Sequence, residues 1–324
     1  MKGLRGMLGK RSSSDMGELV YAYAKACGII GKSFVGKRIK KLDALSRLSE
    51  LDRMLFPASG QDLPEKELLV DLEKRIIGRS INSIITIINC FSKAPGFLIF
   101  LLRRYEYEDI KKALDVNIEG TDFAFLPEDE SFLNQEQGDS IPPMHLDQHY
   151  YNSLWESLSR LPGKDRYAAG KILSEEISLK NSCWALRLRT YYNMKADEIK
   201  SYLIDLPVAP KRKKRSLAEE AVQCLDFPLD DFDAWSSWRW KKFLNSPAGK
   251  DKWQADPRHF QNASSRYLFQ LAYRLFRINP FSLDSVFCFI KLKQFEEDLL
   301  VSYAEALGMG FSGREIISLL GAAS

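Results

Sequence analysis

The amino-acid sequence predicts an all-α protein, and three observations support this prediction. Apolar side chains recur at helical spacing through most of the 324 residues. Convincing runs that alternate between apolar and polar side chains, as half-buried strands do, are absent from the sequence. A segment in which an apolar block passes into basic and aromatic residues occurs three times. We therefore predict a protein made of three diverged helical units.

The recurring segment begins with the apolar block FLIFLL at residues 97–102, which passes into RRYEYED. It returns as CWALRLRTYY at residues 183–192 and as FCFIKLKQFEE at residues 287–297. A continuous helix with this composition goes from buried to exposed along its length. The intervals between the three copies are long and unequal, which excludes a short-period solenoid.

Basic side chains occur in each copy where the apolar block ends. They are Arg103, Arg104, Arg187, Arg189, Lys291 and Lys293. Their recurrence predicts three equivalent polar faces, which would line a central opening if the units are arranged about a common axis. An alternative is that Arg104 with Glu108 and Lys293 with Glu297 form weak surface ion pairs, because each pair is four residues apart on a helix.

Helix signals and breaks divide the chain in order. Asp15 and Glu18 form the capping-box-like start of a first helix, which is expected to continue toward Lys41. Helical spacing continues over residues 43–56 until a proline interrupts it, and a third helix is expected over residues 65–91.

The predicted organisation is a basic arm, three helical units and two linkers. In order, these are the flexible arm at 1–14, a unit at 15–121, a linker at 122–145, a unit at 146–205, a basic linker at 206–216 and a unit at 217–324. The first linker is acidic and ends near a Pro-Pro pair. The last unit carries Trp235, Trp238, Trp240 and Trp253, for which core packing is the ordinary role.

The composition is that of a protein able to bury a core, with 45% hydrophobic and 28% charged residues. The net charge is +4, and the 47 basic and 43 acidic residues are interspersed, which argues against a dedicated nucleic-acid-binding protein. The five cysteines lie far apart, and all but Cys27 are in or beside apolar runs. We therefore expect reduced, buried thiols rather than disulfides or a metal cluster.

One segment resembles a membrane span. Residues 81–102 are mostly apolar and about long enough to cross a bilayer, but Lys93, Pro95 and Gly96 interrupt them. We therefore expect two buried helices joined by a turn at residues 92–96. The basic start of the chain is not followed by an apolar core, so we expect neither a signal peptide nor a transmembrane segment.

The sequence ACGIIGKS at residues 26–33 satisfies the loosest form of a phosphate-binding loop, with Ala in place of the first Gly. In such a loop, Lys32 would contact the phosphates and Ser33 would hold magnesium, at a junction from strand to helix. Here residues 19–25 have helical spacing, and no convincing downstream strand ends in a magnesium-binding Asp. A nucleotide-binding protein that uses Lys32 and Ser33 is one alternative function.

Two further groups offer binding chemistry. His145, Asp147 and His149 place two histidines one helical turn apart, as in some zinc sites, but they lack the glutamate of the zincin pattern and an obvious fourth ligand. The basic run from Lys211 to Arg215 is typical of polyanion-binding or nuclear-targeting segments, although a solvated linker or contact with anionic lipid headgroups also fits. A helical scaffold that binds polyanions through this run is a second alternative function.

The chain resembles the C subunit of bacterial and archaeal V/A-type rotary ATPases, which is similar to the d subunit of the eukaryotic vacuolar proton pump (V-ATPase). The resemblance extends over nearly the whole chain, through YAYAKA at residues 21–26 and the segments at 97–114, 176–192 and 289–308. Many relatives carry an Asn-Leu-Arg-type element in the last long helix, where this chain has DLL at residues 298–300.

This resemblance implies an all-helical, three-part funnel with pseudo-threefold symmetry. It implies a non-catalytic subunit of the central stalk or rotor, which joins the central-shaft subunits to the proteolipid ring and couples ATP turnover to proton or sodium transport. It further implies a peripheral position on the cytoplasmic face, membrane contact only through the complex, no cofactor or metal, and no nucleic-acid partner. The six basic residues named above are the predicted partner contacts in its polar interior.

Overall fold

The computed structural model describes residues 13–58, 63–116, 143–208, 215–247 and 252–319. Apart from one isolated bridge between Pro207 and Ser216, every regular element in these ranges is helical. The prediction of an all-α protein is therefore confirmed. The α-helices are α1 (Ser13–Ile30), α2 (Leu48–Leu55), α3 (Glu65–Ile88), α4 (Gly96–Val116), α5 (Pro143–Ser159), α6 (Tyr167–Tyr192), α7 (Ala196–Tyr202), α8 (Glu219–Cys224), α9 (Pro257–Ile278), α10 (Leu283–Gly308) and α11 (Gly313–Leu319). Short 3-10 turns lie at Gly36–Lys41, Gly163–Asp165, Asp233–Ser237 and Lys241–Phe243.

The first helix is shorter than the sequence predicts. It ends at Ile30 instead of continuing toward Lys41, and a separate 3-10 turn covers Gly36–Lys41. Glycine is a poor helix former, and two glycines lie in the last turns of the apolar pattern. The Ser33 hydroxyl donates a hydrogen bond to the Ile30 carbonyl oxygen at 3.1 Å, which closes the helix end. Phe34 then enters the core of the protein.

The apolar stretch at residues 81–102 forms parts of two helices, as predicted. Helix α3 ends at Ile88, and α4 begins at Gly96 directly after Pro95. None of the helices in the described ranges is both long and apolar enough to cross a membrane.

The predicted arm and linkers fall largely outside the described residues. Helix α1 begins at Ser13, within the predicted arm at 1–14, and residues 1–12 are not described. Helix α5 begins at Pro143, which lies within the predicted linker at 122–145. Residues 117–142 and 209–214 lie outside the described ranges.

The chain packs as two compact units. The first consists of Met1–Pro95, Tyr167–Ala169 and Phe269–Ser324, and the second consists of Gly96–Arg166 and Gly170–Leu268. The beginning and the end of the chain therefore share one unit. The division into three successive helical units with pseudo-threefold symmetry stays a prediction.

Helix α10 is the centre of the first unit, because α1, α2, α3 and α11 all pack against it. Ser282 caps its start with a side-chain oxygen that accepts a hydrogen bond from the Ser285 N–H at 3.2 Å. The buried carboxylate of Asp284 accepts hydrogen bonds from the N–H groups of Ala168 and Ala169 at 3.1 and 3.2 Å. Those two amides belong to the first turn of α6, where a helix supplies no partner of its own.

Tryptophans pack inside the last part of the second unit. Trp235 and Trp238 are buried, and their rings meet edge to face with centroids 5.0 Å apart. Their indole N–H groups donate to the carbonyl oxygens of Pro228 and Glu220 at 2.8 and 2.9 Å. Buried and hydrogen-bonded indoles serve as core residues, in agreement with the role expected from the sequence.

All five cysteines are free thiols. Cys183, Cys224 and Cys288 are buried, as the sequence predicts, whereas Cys90 is half-buried and Cys27 is exposed. Burial raises the pKa of the Cys224 thiol to about 12, so this side chain is protonated and unreactive at neutral pH.

Helix α11 begins where the backbone passes very close to its neighbours. Gly313 donates its N–H to the Leu45 carbonyl oxygen at 2.8 Å, and the Tyr303 hydroxyl donates to the Leu42 carbonyl oxygen at 2.5 Å. A Cβ atom at position 313 would lie less than 3.0 Å from both carbonyl oxygens and from the Tyr303 hydroxyl. Because two of these three atoms belong to the backbone, they cannot move aside as a flexible side chain can.

We expect Gly313→Ala to lower the free energy of unfolding by about 1–3 kcal/mol, because the added methyl group overpacks this contact. Gly28→Ala is the matched control, since a Cβ atom at position 28 meets no heavy atom within 4 Å. This control should be neutral or stabilising by up to about 1 kcal/mol. Urea unfolding followed by circular dichroism measures both variants, and equal stability of the two would contradict the close approach at Gly313.

Candidate partner-binding residues

The first pair of predicted contact residues lies on α4 and is only partly accessible. The side chain of Arg103 is 13% exposed, and its Nε lies 3.3 Å from a Glu106 carboxylate oxygen. Its guanidinium lies over the rings of Phe100 and Tyr107, at 4.9 and 5.9 Å from the ring centroids. Arg104 is half-buried. Arg103 is therefore fixed against aromatic side chains of its own helix.

The second pair lies near the end of α6 and ties that helix to later parts of the second unit. Arg189 donates from Nη1 to the carbonyl oxygens of Cys224 and Phe227 at 2.6 and 3.0 Å. Cys224 is the last residue of α8, so this guanidinium binds carbonyl groups that a helix end leaves without partners. Arg187 donates to the side-chain oxygen of Gln261 on α9.

The third pair, Lys291 and Lys293, is buried within the first unit, and each lysine is 3% exposed. Lys293 forms an ion pair with Glu296, three residues further along α10. The other Glu296 oxygen accepts a hydrogen bond from the Phe34 N–H at 2.6 Å. The interpretation of Lys293 as a member of a weak surface pair with Glu297 is therefore wrong, because the lysine lies in the core.

The six basic side chains are consequently not equivalent. One arginine stacks on its own helix, another binds the end of α8, and the two lysines are enclosed by the first unit. Contact with a partner stays a prediction, and in this conformation the side chains with accessible surface are the arginines.

An ionic network that the sequence did not predict connects three helices of the second unit. Asp147 on α5 accepts hydrogen bonds from Lys111 on α4 at 2.9 Å and from Lys180 on α6 at 3.1 Å. Lys111 also contacts Glu108 at 2.9 Å. Burial alone would lower the pKa of Lys111, but the attraction of Asp147 and Glu108 outweighs it and raises that pKa. The ammonium group is therefore charged at neutral pH and holds the helices together.

The three side chains considered as metal ligands each contact a different partner. Asp147 is occupied by two lysines, the His149 ring nitrogen Nδ1 contacts the Tyr107 hydroxyl, and the His145 ring stacks on Tyr202 at 5.9 Å between centroids. These side chains have separate partners. Across the described ranges, no group of three His, Cys, Asp or Glu side chains is placed to hold a metal ion.

The segment at residues 26–33, which has the loosest form of the phosphate-binding-loop pattern, lies at the end of a helix. Residues 26–30 are the last turn of α1, and the N–H groups of Gly31, Lys32 and Ser33 donate to carbonyl oxygens of Cys27, Ile29 and Ile30 at 2.9–3.1 Å. A phosphate-binding loop needs free N–H groups at a helix start, where the dipole is positive. This segment has occupied N–H groups at a helix end, so it does not have the structure of such a loop.

The basic run from Lys211 to Arg215 lies outside the described residues except for its last member. Arg215 is exposed and pairs with Glu219, with Nε 3.1 Å from a carboxylate oxygen. An exposed pair four residues apart contributes little to stability.

The described chain is thus a helical scaffold in which most of the predicted basic residues bind other parts of the scaffold. Comparison with known proteins agrees with a structural role of this kind. Residues 116–318 match the family of the ATP synthase (C/AC39) subunit. The chain therefore belongs to this family, which is that of the C subunit of V/A-type ATPases.

One relative matches most of this chain over most of its own length. An uncharacterized protein of Treponema pallidum (strain Nichols) is 25% identical in an alignment 317 residues long, and the alignment covers 90% of this chain and 93% of that protein. The family match begins at the last residue of α4 and ends within α11, so it includes all the helices from α5 to α10.

We expect Asp147→Asn to lower the free energy of unfolding by about 2–3 kcal/mol, because two partly buried lysines lose their charged acceptor. Asp197→Asn is the matched control: Asp197 also pairs with a lysine, but its side chain is 95% exposed, so we expect a change within about 0.5 kcal/mol. Chemical unfolding of both variants at neutral pH measures the difference. Equal effects at the two positions would show that the network around Asp147 contributes no more than a surface pair.

Proposed function

We propose that this chain is a non-catalytic subunit of the central stalk of a V/A-type rotary ATPase. In this proposal it joins the central shaft to the proteolipid ring on the cytoplasmic face of the membrane, as part of the rotor. The observation that carries the proposal is the family match over residues 116–318. The match begins at residue 116, and the resemblance noted in the sequence extends to the earlier segments at residues 21–26 and 97–114.

The packing of the chain supports a mechanical role. An element that transmits torque must resist deformation. Protein interiors are closely packed, and polar networks with all hydrogen bonds satisfied make them more rigid. In the first unit, α10 is held by the Asp284 and Glu296 hydrogen bonds, and in the second unit Asp147 joins α4, α5 and α6. These contacts fix the helices of each unit relative to one another. We propose that a three-part, funnel-like arrangement of such helices receives the shaft.

The end of α6 supplies the best candidate for a partner surface. Tyr191 and Tyr192 are 50% and 72% exposed, and Arg187 lies one helical turn before them. Asn193 in the left-handed conformation, with φ 49°, ends the helix there. Tyrosine and arginine are among the residues most enriched in binding hot spots. We therefore place the proposed partner contact at this helix end.

Deletion of this chain should uncouple ATP hydrolysis from ion movement, because the shaft would lose its connection to the ring. Affinity capture from gently solubilised native membranes should recover proteolipid, shaft and catalytic subunits at reproducible ratios. The readouts are ATPase activity, ion uptake into membrane vesicles and mass spectrometry of the captured proteins. Coupling that survives the deletion, or capture of the chain alone from the soluble fraction, would contradict the proposal.

We expect Tyr192→Ala to weaken assembly with the other subunits by about 2 kcal/mol without changing the stability of the isolated chain. Tyr167→Ala is the matched control, since Tyr167 is 66% exposed at the other end of the same helix. Assembly is measured by the recovery of partner subunits in capture experiments, and stability by thermal unfolding. Equal recovery with both variants would remove the end of α6 as the contact surface.

A further inference from the structure

A cleft of about 780 Å³ lies along α3 on the surface of the first unit. Helix α3 forms its floor from Lys74 to Thr86, a length of about 18 Å at 1.5 Å per residue. Ile29 from the end of α1 and Phe56 after α2 form its apolar walls. The volume falls in the range of sites that bind small molecules. None of the residues discussed as partner contacts lines it.

The half of the cleft nearer the start of α3 carries three basic side chains, Lys74, Arg75 and Arg79. Arg75 is paired with Asp52 and Asp71 at 2.8 and 2.6 Å, so its charge is compensated. Lys74 is exposed and has no acidic partner among the described residues. Arg79 uses one N–H to bind the Leu55 carbonyl oxygen at 3.3 Å, which leaves its remaining donors available.

The lining itself contains no aspartate or glutamate in the part of the chain that the structure describes. Lys74 and Arg79 are the basic side chains of this lining that form no ion pair with a described carboxylate. An anion with several acceptor oxygens, such as phosphate, can accept hydrogen bonds from an ammonium and a guanidinium at the same time. This chemistry identifies the charged part of the ligand.

The other end of the cleft offers hydrogen-bond acceptors. Ser83 donates its hydroxyl proton to the Arg79 carbonyl oxygen at 2.7 Å, and Thr86 donates to the Asn82 carbonyl oxygen at 2.7 Å. Both hydroxyl oxygens therefore keep their lone pairs for a donor. The Asn82 side-chain amide adds a further acceptor and two donors. A ligand that reaches this end must carry groups such as hydroxyls.

Gly78 lies between Lys74 and Arg79 along α3 and keeps this part of the cleft open. A Cβ atom there would meet no heavy atom within 4 Å. Glycine inside a helix is unfavourable relative to alanine, so this position does not contribute to helix stability. The open space above it allows a ligand to lie along α3 from the cationic end to the hydroxyl end.

We propose that this cleft binds a phosphate ester that carries hydroxyl groups. The phosphate lies between Lys74 and Arg79, and the hydroxyls reach Ser83 and Thr86. Two sources supply this chemistry: a soluble ester such as glycerol phosphate, or the headgroup of a glycerophospholipid such as phosphatidylglycerol. The inference depends only on the α3 cleft and is independent of the role in a rotary ATPase.

The experiment uses the full chain at low ionic strength with two probes. Isothermal titration with sn-glycerol 3-phosphate tests the soluble source. Flotation with phosphatidylglycerol vesicles, compared with phosphatidylcholine vesicles, tests the lipid source. Lys74→Gln removes one charge from the exposed rim, Gly78→Phe fills the cleft without removing a charge, and Lys66→Gln removes a charge from the same helix outside the cleft.

We expect saturable binding of at least one probe. Lys74→Gln should weaken it about tenfold, as for a lost hydrogen bond to a charged group. Gly78→Phe should abolish it, and Lys66→Gln should leave it unchanged. Thermal unfolding confirms that each variant is folded. Binding of glycerol phosphate supports the soluble source, and binding of anionic vesicles alone supports the lipid source.

Three results would overturn the proposal. One is the absence of saturable binding to both probes. Another is equal binding by the wild-type chain and by folded Gly78→Phe. The third is a loss with Lys66→Gln as large as the loss with Lys74→Gln, which would show general attraction to a basic surface instead of a site.

Discussion

The buried charge of α10 is the constraint on which the first unit depends. A charged side chain removed from water costs several kcal/mol unless a partner and hydrogen bonds replace the solvent. Lys293 and Glu296 satisfy each other, and Glu296 also accepts the Phe34 N–H. The Ser80 hydroxyl of α3 donates to the Lys293 carbonyl oxygen at 3.4 Å. The connection after α1 and the face of α3 must therefore meet α10 in one register, since any other would remove the hydrogen bonds that Phe34 and Ser80 donate to it.

Charged side chains of the second unit also bind specific partners. Arg239 binds both carboxylate oxygens of Glu175 at 2.6 Å, while Arg189 closes the end of α8. These contacts join residues far apart in the chain. They differ from pairs such as Arg160 with Glu156, which are exposed, lie four residues apart at the end of α5 and contribute little. The polar side chains that define the fold are thus those that connect separate elements.

Local sequence patterns predicted the features that depend on neighbouring residues. They did not predict features that depend on contacts with residues distant in the sequence. Helical periodicity gave the all-α class, and Pro95 gave the break between α3 and α4. The end of α1 was missed, because Phe34 follows the helix and joins a core to which the other end of the chain also contributes. Asp147 was considered only with nearby histidines, since its lysine partners lie on α4 and α6. The α3 cleft has no sequence motif, because it depends on which helix faces the neighbouring helices leave uncovered.

The apolar block followed by basic residues occurs three times in the sequence, but its basic side chains make different contacts in each copy. In the first copy Arg103 stacks on aromatic rings of its own helix, in the second Arg189 binds the end of α8, and in the third Lys293 pairs inside the core. A common ancestry of the three segments would explain the pattern, yet each segment packs in a different environment. A side chain that already binds internal partners has fewer donors left for another subunit, so such a contact gains less. Tyr192 at the end of α6, which is 72% exposed, is therefore a better candidate for an interface than the buried basic residues.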